Sequence, residues 1–146
     1  MANDDLSSFA RRIRLTAAKV QPGSDQAVRT CAIAVATEVV SSTPADTSRA
    51  INNWNASLGA SSPRFVQAKV PGVKGSTKAA AVAAALSRMI RKIKQYKTGD
   101  PPINLTNAAP YIEQLNAGSS KQAPAGFIEA GIQRGRAVIR NVRILK

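Results

Sequence analysis

Apolar residues recur at helical spacing over several stretches of this chain, and short broken runs lie between them. Leu6, Phe9, Ala10, Ile13 and Ala17 share one face of residues 5–19, with Arg11, Arg12 and Arg14 turned away, which predicts a short amphipathic helix. Gln21-Pro22-Gly23 predicts its end. Ser24 as an N-cap and Asp25 in the first turn predict a second helix over 25–42, with Val28, Cys31, Ala32, Val35 and Val39 as its stripe. Pro44 closes it near Ser42.

Ser48 to Asn53 reads as one helical turn, Trp54 to Leu58 as a strand closed by Gly59, and 59–75 as short extended pieces with turns. Ser76 or Thr77 caps a long helix running to about Lys97. Its Val82, Leu86, Met89, Ile90, Ile93 and Tyr96 fall within an arc of ~120°. Arg88, Arg91, Lys92 and Lys94 lie outside that arc and crowd the C-terminal half, where the helix dipole favours cations. Thr98-Gly-Asp-Pro-Pro is a firm stop. Ile103 to Thr106 reads as a strand, and Pro110 opens a brief helix through about Ala117 that Gly118 ends. Pro124 opens a last helix striped by Ile128, Ile132, Gly135, Ile139 and Val142. Gly131 and Gly135 signal either close packing or a weak helix. Beyond Arg140 the pattern fits a frayed helix or an extended tail.

The 146 residues suit a single domain, 1–146. Aromatics make up 4%, so each residue buries little area, and association with neighbours then matters for the folded state. The single Cys31 excludes an internal disulfide and reads as a small core residue. There is no His, so the commonest general base and metal ligand are missing. No run approaches the ~20 apolar residues of a membrane span, and the N-terminus does not read as a secretory signal.

The net charge is +13, unevenly spread: nine Lys/Arg against five Asp/Glu over 1–75, twelve against three over 76–146. That balance suits a polyanion or an acidic neighbour, with Arg88, Arg91, Lys92 and Lys94 as the contact residues. A plain solvated basic face is the competing reading.

Candidate chemistry is sparse. Asp46 and Thr47 lack a base and read better as loop-bonding residues. Asp100, Glu113 and Glu129 are too scattered for a metal or a carboxylate pair. GVKGS at 72–76 lacks the order of a phosphate loop. No enzyme and no cofactor is expected. Trp54 reads as a core or sheet-packing residue, Tyr111 as a packed ring with a bonded hydroxyl, and Lys121-Gln122-Ala-Pro124 as an exposed connector or interface loop.

Two blocks carry a family resemblance. TPADTSRAINNW at 43–54 resembles the T-P-V-D-T-G-R-L-R-x-S-W signature of tailed-phage neck and tail-completion proteins, the gene-product-ten-like family. INLTNAAPYIEQLNAGSSKQAPAGF at 103–127 resembles that family's strand-T-N-x-x-P-Y-A-x-x-L-E-x-G-x-S-x-Q-A-P-x-G-F/M block. The matching residues are Pro44, Asp46, Thr47, Arg49 and Trp54, then Thr106, Asn107, Pro110, Tyr111, Leu115, Gly118, Ser120, Gln122, Ala123, Pro124 and Gly126. Ser48 replaces the family's Gly, so the turn there is expected not to need a positive φ. Asn116 replaces the family's Glu, which removes a charge.

The resemblance implies an α+β fold, a small antiparallel sheet packed by several helices that include the long basic one near 76–97. It implies a structural virion protein forming a ring, a hexamer or else a dodecamer, that joins the DNA-filled head to the tail. Its partners would be copies of itself, head-closure or portal/adaptor proteins and tail tube proteins, with genomic DNA passing through and no membrane. It would be assembled in the bacterial host cytoplasm and reside in the virion neck. The rival reading, resting on charge alone, is a DNA-binding accessory protein.

Overall fold

The computed structural model describes residues 2–45, 48–61, 65–66 and 77–143, with side chains from residue 6 onward. The fold is α+β: α1 (Ala2–Ser42), α2 (Arg49–Asn52), β1 (Trp54–Leu58), α3 (Lys78–Ile93), β2 (Ile103–Asn107), α4 (Ile112–Asn116) and α5 (Phe127–Ile139).

The first two predicted helices are one. α1 runs through Pro22 without a break. An interior proline removes one backbone bond and crowds the preceding turn, at a cost of about 3 kcal/mol, and strong helical pattern on both sides offsets it. The predicted cap chemistry at 24–25 is used elsewhere. The Asp25 carboxylate accepts the backbone N–H and the hydroxyl of Thr98, both at 2.6 Å, and so fastens the turn after α3 to the middle of α1. Arg29, one turn on, donates from Nε to the Tyr96 carbonyl at 2.7 Å.

The C-terminal half of α1 packs chiefly on α5. Gly131 and Gly135 set the approach: a Cβ on Gly135 would stand 2.8 Å from the Val35 nitrogen, and one on Gly131 2.7 Å from Val39 Cγ1. These glycines serve close packing. Cys31 is half-buried at this seam and points its thiol at the Gly135 carbonyl, 3.7 Å away. An exposed Arg134–Glu38 ion pair at 2.8 Å flanks it.

β1 and β2 are antiparallel, with Trp54 opposite Asn107, Ala56 opposite Leu105 and Leu58 opposite Ile103. Two strands alone are marginal, and α3 packs against β1. Its buried line is Ala81, Ala85, Met89 and Ile93. Val82 and Leu86, predicted at the centre of the face, are half-buried at its edge. The small alanines take the centre and let α3 approach closely. With Ala36, Val39, Val40, Ile51, Trp54 and Ala56 they form the core.

Three predicted boundaries shift. α3 ends at Ile93 rather than near Lys97, because Asp100 accepts the Lys97 N–H at 2.8 Å and Asp25 holds Thr98, pulling 97–100 into a turn. Thr77 stands at the N-cap position of α3 without capping it, because its hydroxyl bonds Ser48 instead. α5 starts at Phe127 behind Gly126, not at Pro124, and ends at Ile139, with Asn141 in a turn. The predicted cap Ser76 and most of the predicted extended stretch 59–75 lie outside the described residues. Among the described residues no helix is long and apolar enough to cross a membrane.

Candidate interface groove between the two motif loops

The α1 terminus delivers the first motif to the core. The Thr43 hydroxyl donates to the Val39 carbonyl at 2.6 Å and accepts the Trp54 indole N–H at 2.8 Å, both groups buried. Trp54 therefore serves as a core anchor with its one polar atom satisfied.

Ser48 then turns the chain with φ 58°, the left-handed conformation that the Gly-to-Ser change was expected to make unnecessary. Two bonds hold it there. Its carbonyl accepts the Asn52 N–H at 2.9 Å, and its hydroxyl lies 2.6 Å from that of Thr77. The strain of ~1–2 kcal/mol for a residue with a Cβ is over-determined by these contacts. Asn53, which the motif comparison passed over, is 97% buried by its fractional exposure of 3%. Its amide donates to the Arg49 and Val66 carbonyls, and its oxygen accepts the Val66 N–H at 2.7 Å. The Asn-Asn pair before the strand was the available signal.

The second motif is tied to the first at several points, among them the Ala108 N–H, which donates to the Asn53 carbonyl at 3.3 Å. Asn107 donates to the Ala50 carbonyl at 2.8 Å and accepts the Ala109 N–H at 2.9 Å. Gln122 Oε1 accepts the Ala45 N–H at 2.9 Å across 77 residues of sequence. Gly118 ends α4 with φ 93°, and a Cβ there would stand 3.1 Å from Ala125 Cβ. Ser120 accepts the Gln122 N–H at 3.2 Å and shapes the loop. Pro110 and Pro124 are exposed at the bends on either side.

Between these loops lies a groove of about 380 Å³ lined by Pro44, Ser48, Arg49, Ala50, Tyr111, Leu115, Ser119, Ser120, Lys121 and Gln122. Five of the predicted interface residues meet here: Arg49, Tyr111, Ser120, Lys121 and Gln122. Asp46 and Thr47 lie outside the described residues. Trp54, Asn107, Pro110, Gly118 and Pro124 do not line the groove.

Arg49 stacks its guanidinium 6.0 Å from the centre of the Phe65 ring, and its Nε is shielded from solvent with no acceptor among the described residues. Burial pushes the Tyr111 phenol above its ordinary value, against an opposing pull from the Arg49 charge. Two cations, a neutral phenol and serine hydroxyls make a surface that donates hydrogen bonds. It is suited to receive a carboxylate or a row of carbonyls. Among the described residues no group of three or more His, Cys, Asp or Glu stands where it could hold a metal ion.

The basic set divides. Arg91 and Lys92 are exposed on α3, and Lys94 is exposed at its C-cap. Arg88 instead donates to the carbonyls of Asn52 and Trp54, each at 3.1 Å, so its guanidinium clasps the α2–β1 junction.

The chain matches no family model, no curated protein and no solved structure.

Proposed function

We propose that this chain is a structural subunit of a tailed-phage neck, a ring-forming protein that joins the head to the tail. The reading rests on the resemblance of the two sequence blocks. The observation that carries it further is their convergence: blocks separated by some fifty residues of other sequence are bonded to each other through Gln122–Ala45 and Asn107–Ala50 and line one groove. A shared surface of loops held on a rigid scaffold is what a subunit contact requires.

In a closed ring each subunit offers two different faces to its neighbours. Arg49 and Lys121 in the groove favour an acidic or carbonyl-rich segment from the adjacent subunit, or from a head-closure, portal/adaptor or tail tube protein. The exposed cations of α3 then face acidic neighbours or DNA passing through. The ring is a hexamer, with a dodecamer as the second option, and resides in the virion. The chain acts by assembly, without catalysis or cofactor.

Disrupting the gene in the phage that encodes it tests this reading. DNA-filled heads and unattached tails should accumulate, and a wild-type copy supplied in trans should restore joining. Normal infectious particles from the disrupted phage would refute it.

A further inference from the structure

The groove between the motif loops offers donors, because its side-chain acceptors are already engaged. Gln122 Oε1 accepts the Ala45 N–H, which leaves the amide NH2 for a ligand. Ser120 Oγ accepts the Gln122 N–H and keeps its own O–H to donate. Arg49 Nε is shielded from solvent with no acceptor among the described residues. No ion pair among the described residues engages Lys121, and none of the lining residues is a carboxylate. A shielded guanidinium N–H left unsatisfied costs free energy. A carboxylate placed side-on to Nε and one Nη satisfies it with two charge-assisted bonds.

The chain itself carries an acid that fits. Among the carboxylates with described side chains, Asp25 is held by Thr98, Glu38 by Arg134, Asp100 by the Lys97 N–H and Glu129 by Asn116. Glu113 is left, exposed and without a partner among the described residues. It sits on α4, the helix that walls the groove. Leu115 lines the groove, and Glu113, two residues before it, is turned away by about 200° at 3.6 residues per turn. Gln114, Ala117 and Gly118 are exposed as well, so the outer side of α4 is open to a neighbour.

Copies of a chain with 21 Lys and Arg against eight Asp and Glu repel one another unless an acid stands at the contact. We propose that Glu113 of one copy enters the groove of the next and pairs there with Arg49 and Lys121. The groove and Glu113 lie on opposite sides of one helix, so each copy receives on one face and gives from the other. That is a heterologous, head-to-tail contact, the kind that closes into rings. The contact rests on the proposed ring for its neighbouring copy, and it supplies the ring with a named pair of faces.

Charge exchange between separately purified copies tests it. Arg49→Glu/Lys121→Glu makes the groove acidic, and Glu113→Lys makes the outer side of α4 basic. Each variant alone sets like charges together and should self-associate roughly tenfold more weakly than the unchanged chain in sedimentation velocity. Mixed in equal amounts, the two should associate again, since each groove then meets an opposite charge on the other variant. Lys121 is exposed, so Lys121→Glu alone gives a smaller loss should the double variant fail to fold; circular dichroism checks each.

Self-association unmoved by these changes overturns the proposal, as does a mixture that stays apart. Loss of association in Asp46→Asn or Asp4→Asn/Asp5→Asn, with Glu113→Gln unaffected, assigns the groove to a different acid and also overturns it. So does an unchanged chain that sediments as a monomer. In that case a peptide that binds with a central Glu but not Gln, and is lost on Lys121→Glu, assigns the groove to another protein. These results remove the contact and leave the neck reading in place, whereas normal particles after gene disruption remove the neck reading and leave the contact.

Discussion

Asn116 caps a helix to which it does not belong. Its Oδ1 accepts the Ile128 N–H in the first turn of α5 at 2.9 Å, and its Nδ2 donates to both Glu129 carboxylate oxygens at 2.8 and 2.9 Å. Its backbone carbonyl accepts the Gly126 N–H at 2.7 Å. One residue at the end of α4 thus satisfies an otherwise unpaired donor of α5 and holds an acid at that helix's positive end. The carboxylate that a Glu at 116 would bring is supplied nearby, by Glu129.

Asn116→Ala should therefore behave as the loss of an N-cap, lowering unfolding stability by about 1–2 kcal/mol. Urea titration followed by circular dichroism measures it. An unchanged midpoint would mean that water replaces the cap without cost.

Gly135→Ala pits two effects against each other. Alanine gains roughly 1 kcal/mol in helix propensity. The added methyl, however, meets the backbone nitrogen of Val35 at 2.8 Å, which cannot move without shifting α1. Overpacking of this kind costs about 1–3 kcal/mol, so the net change should be destabilising. A rise in melting temperature would show that the α1–α5 seam yields easily.

Trp54 is the sole tryptophan, so its emission reports on the core. Thr43→Val removes the acceptor of the buried indole N–H while keeping the shape. The expected loss is about 1–3 kcal/mol, with Thr43→Ser retaining most of the stability. Equal stability of the Val and Ser variants, read from tryptophan fluorescence in denaturant, would contradict the bond's importance.

Stability should fall in acid through two carboxylates. Hydrogen bonding to Thr98 holds Asp25 below its ordinary 3.8, with Arg29 and Lys97 adding to the effect against some desolvation. Bonding to Asn116 likewise lowers Glu129 from 4.5. A depressed carboxylate contributes stability above its unfolded pKa and loses it as pH falls through the folded value. The loss should begin near those ordinary values and continue below them. Asp25→Asn should flatten part of that acid limb in melting temperatures taken from pH 7 to pH 2.

The cations of α3 should separate by role. Arg88→Ala removes donors to two carbonyls and should lower stability by roughly 1 kcal/mol at this exposed site. Arg91→Ala, Lys92→Ala and Lys94→Ala should each stay within about 0.5 kcal/mol. If these three contact DNA, replacing them together should reduce the salt dependence of duplex binding while leaving the melting curve in place. Equal destabilisation by Arg88→Ala and Lys92→Ala would remove the distinction.

Much of this architecture is legible in the residue order. The turn at 49–52, both strands, the Gly59 and Gly118 stops and the basic helix follow from spacing, propensity and turn chemistry. The groove was legible only in part. The motif residues Arg49, Tyr111, Ser120, Lys121 and Gln122 can be named from the sequence, but nothing in it says that they face one space. Asn53 escaped notice because an Asn before a strand is common on surfaces, and only its burial distinguishes it.

The sequence by itself determined which segments are helical or extended and which faces are apolar, because those depend on a residue's own backbone preferences and on neighbours a turn away. The tertiary structure alone decided the left-handed Ser48, the early end of α3 and the cap on α5. In each case the deciding contact comes from another part of the chain or from packing. Asp25 and Thr98 are 73 residues apart, Ser48 and Thr77 are 29 apart, and Asn116 reaches 12 residues forward to Ile128. A polar side chain bonds whichever partner folding brings within about 3 Å, and that distance is set by packing rather than by sequence separation.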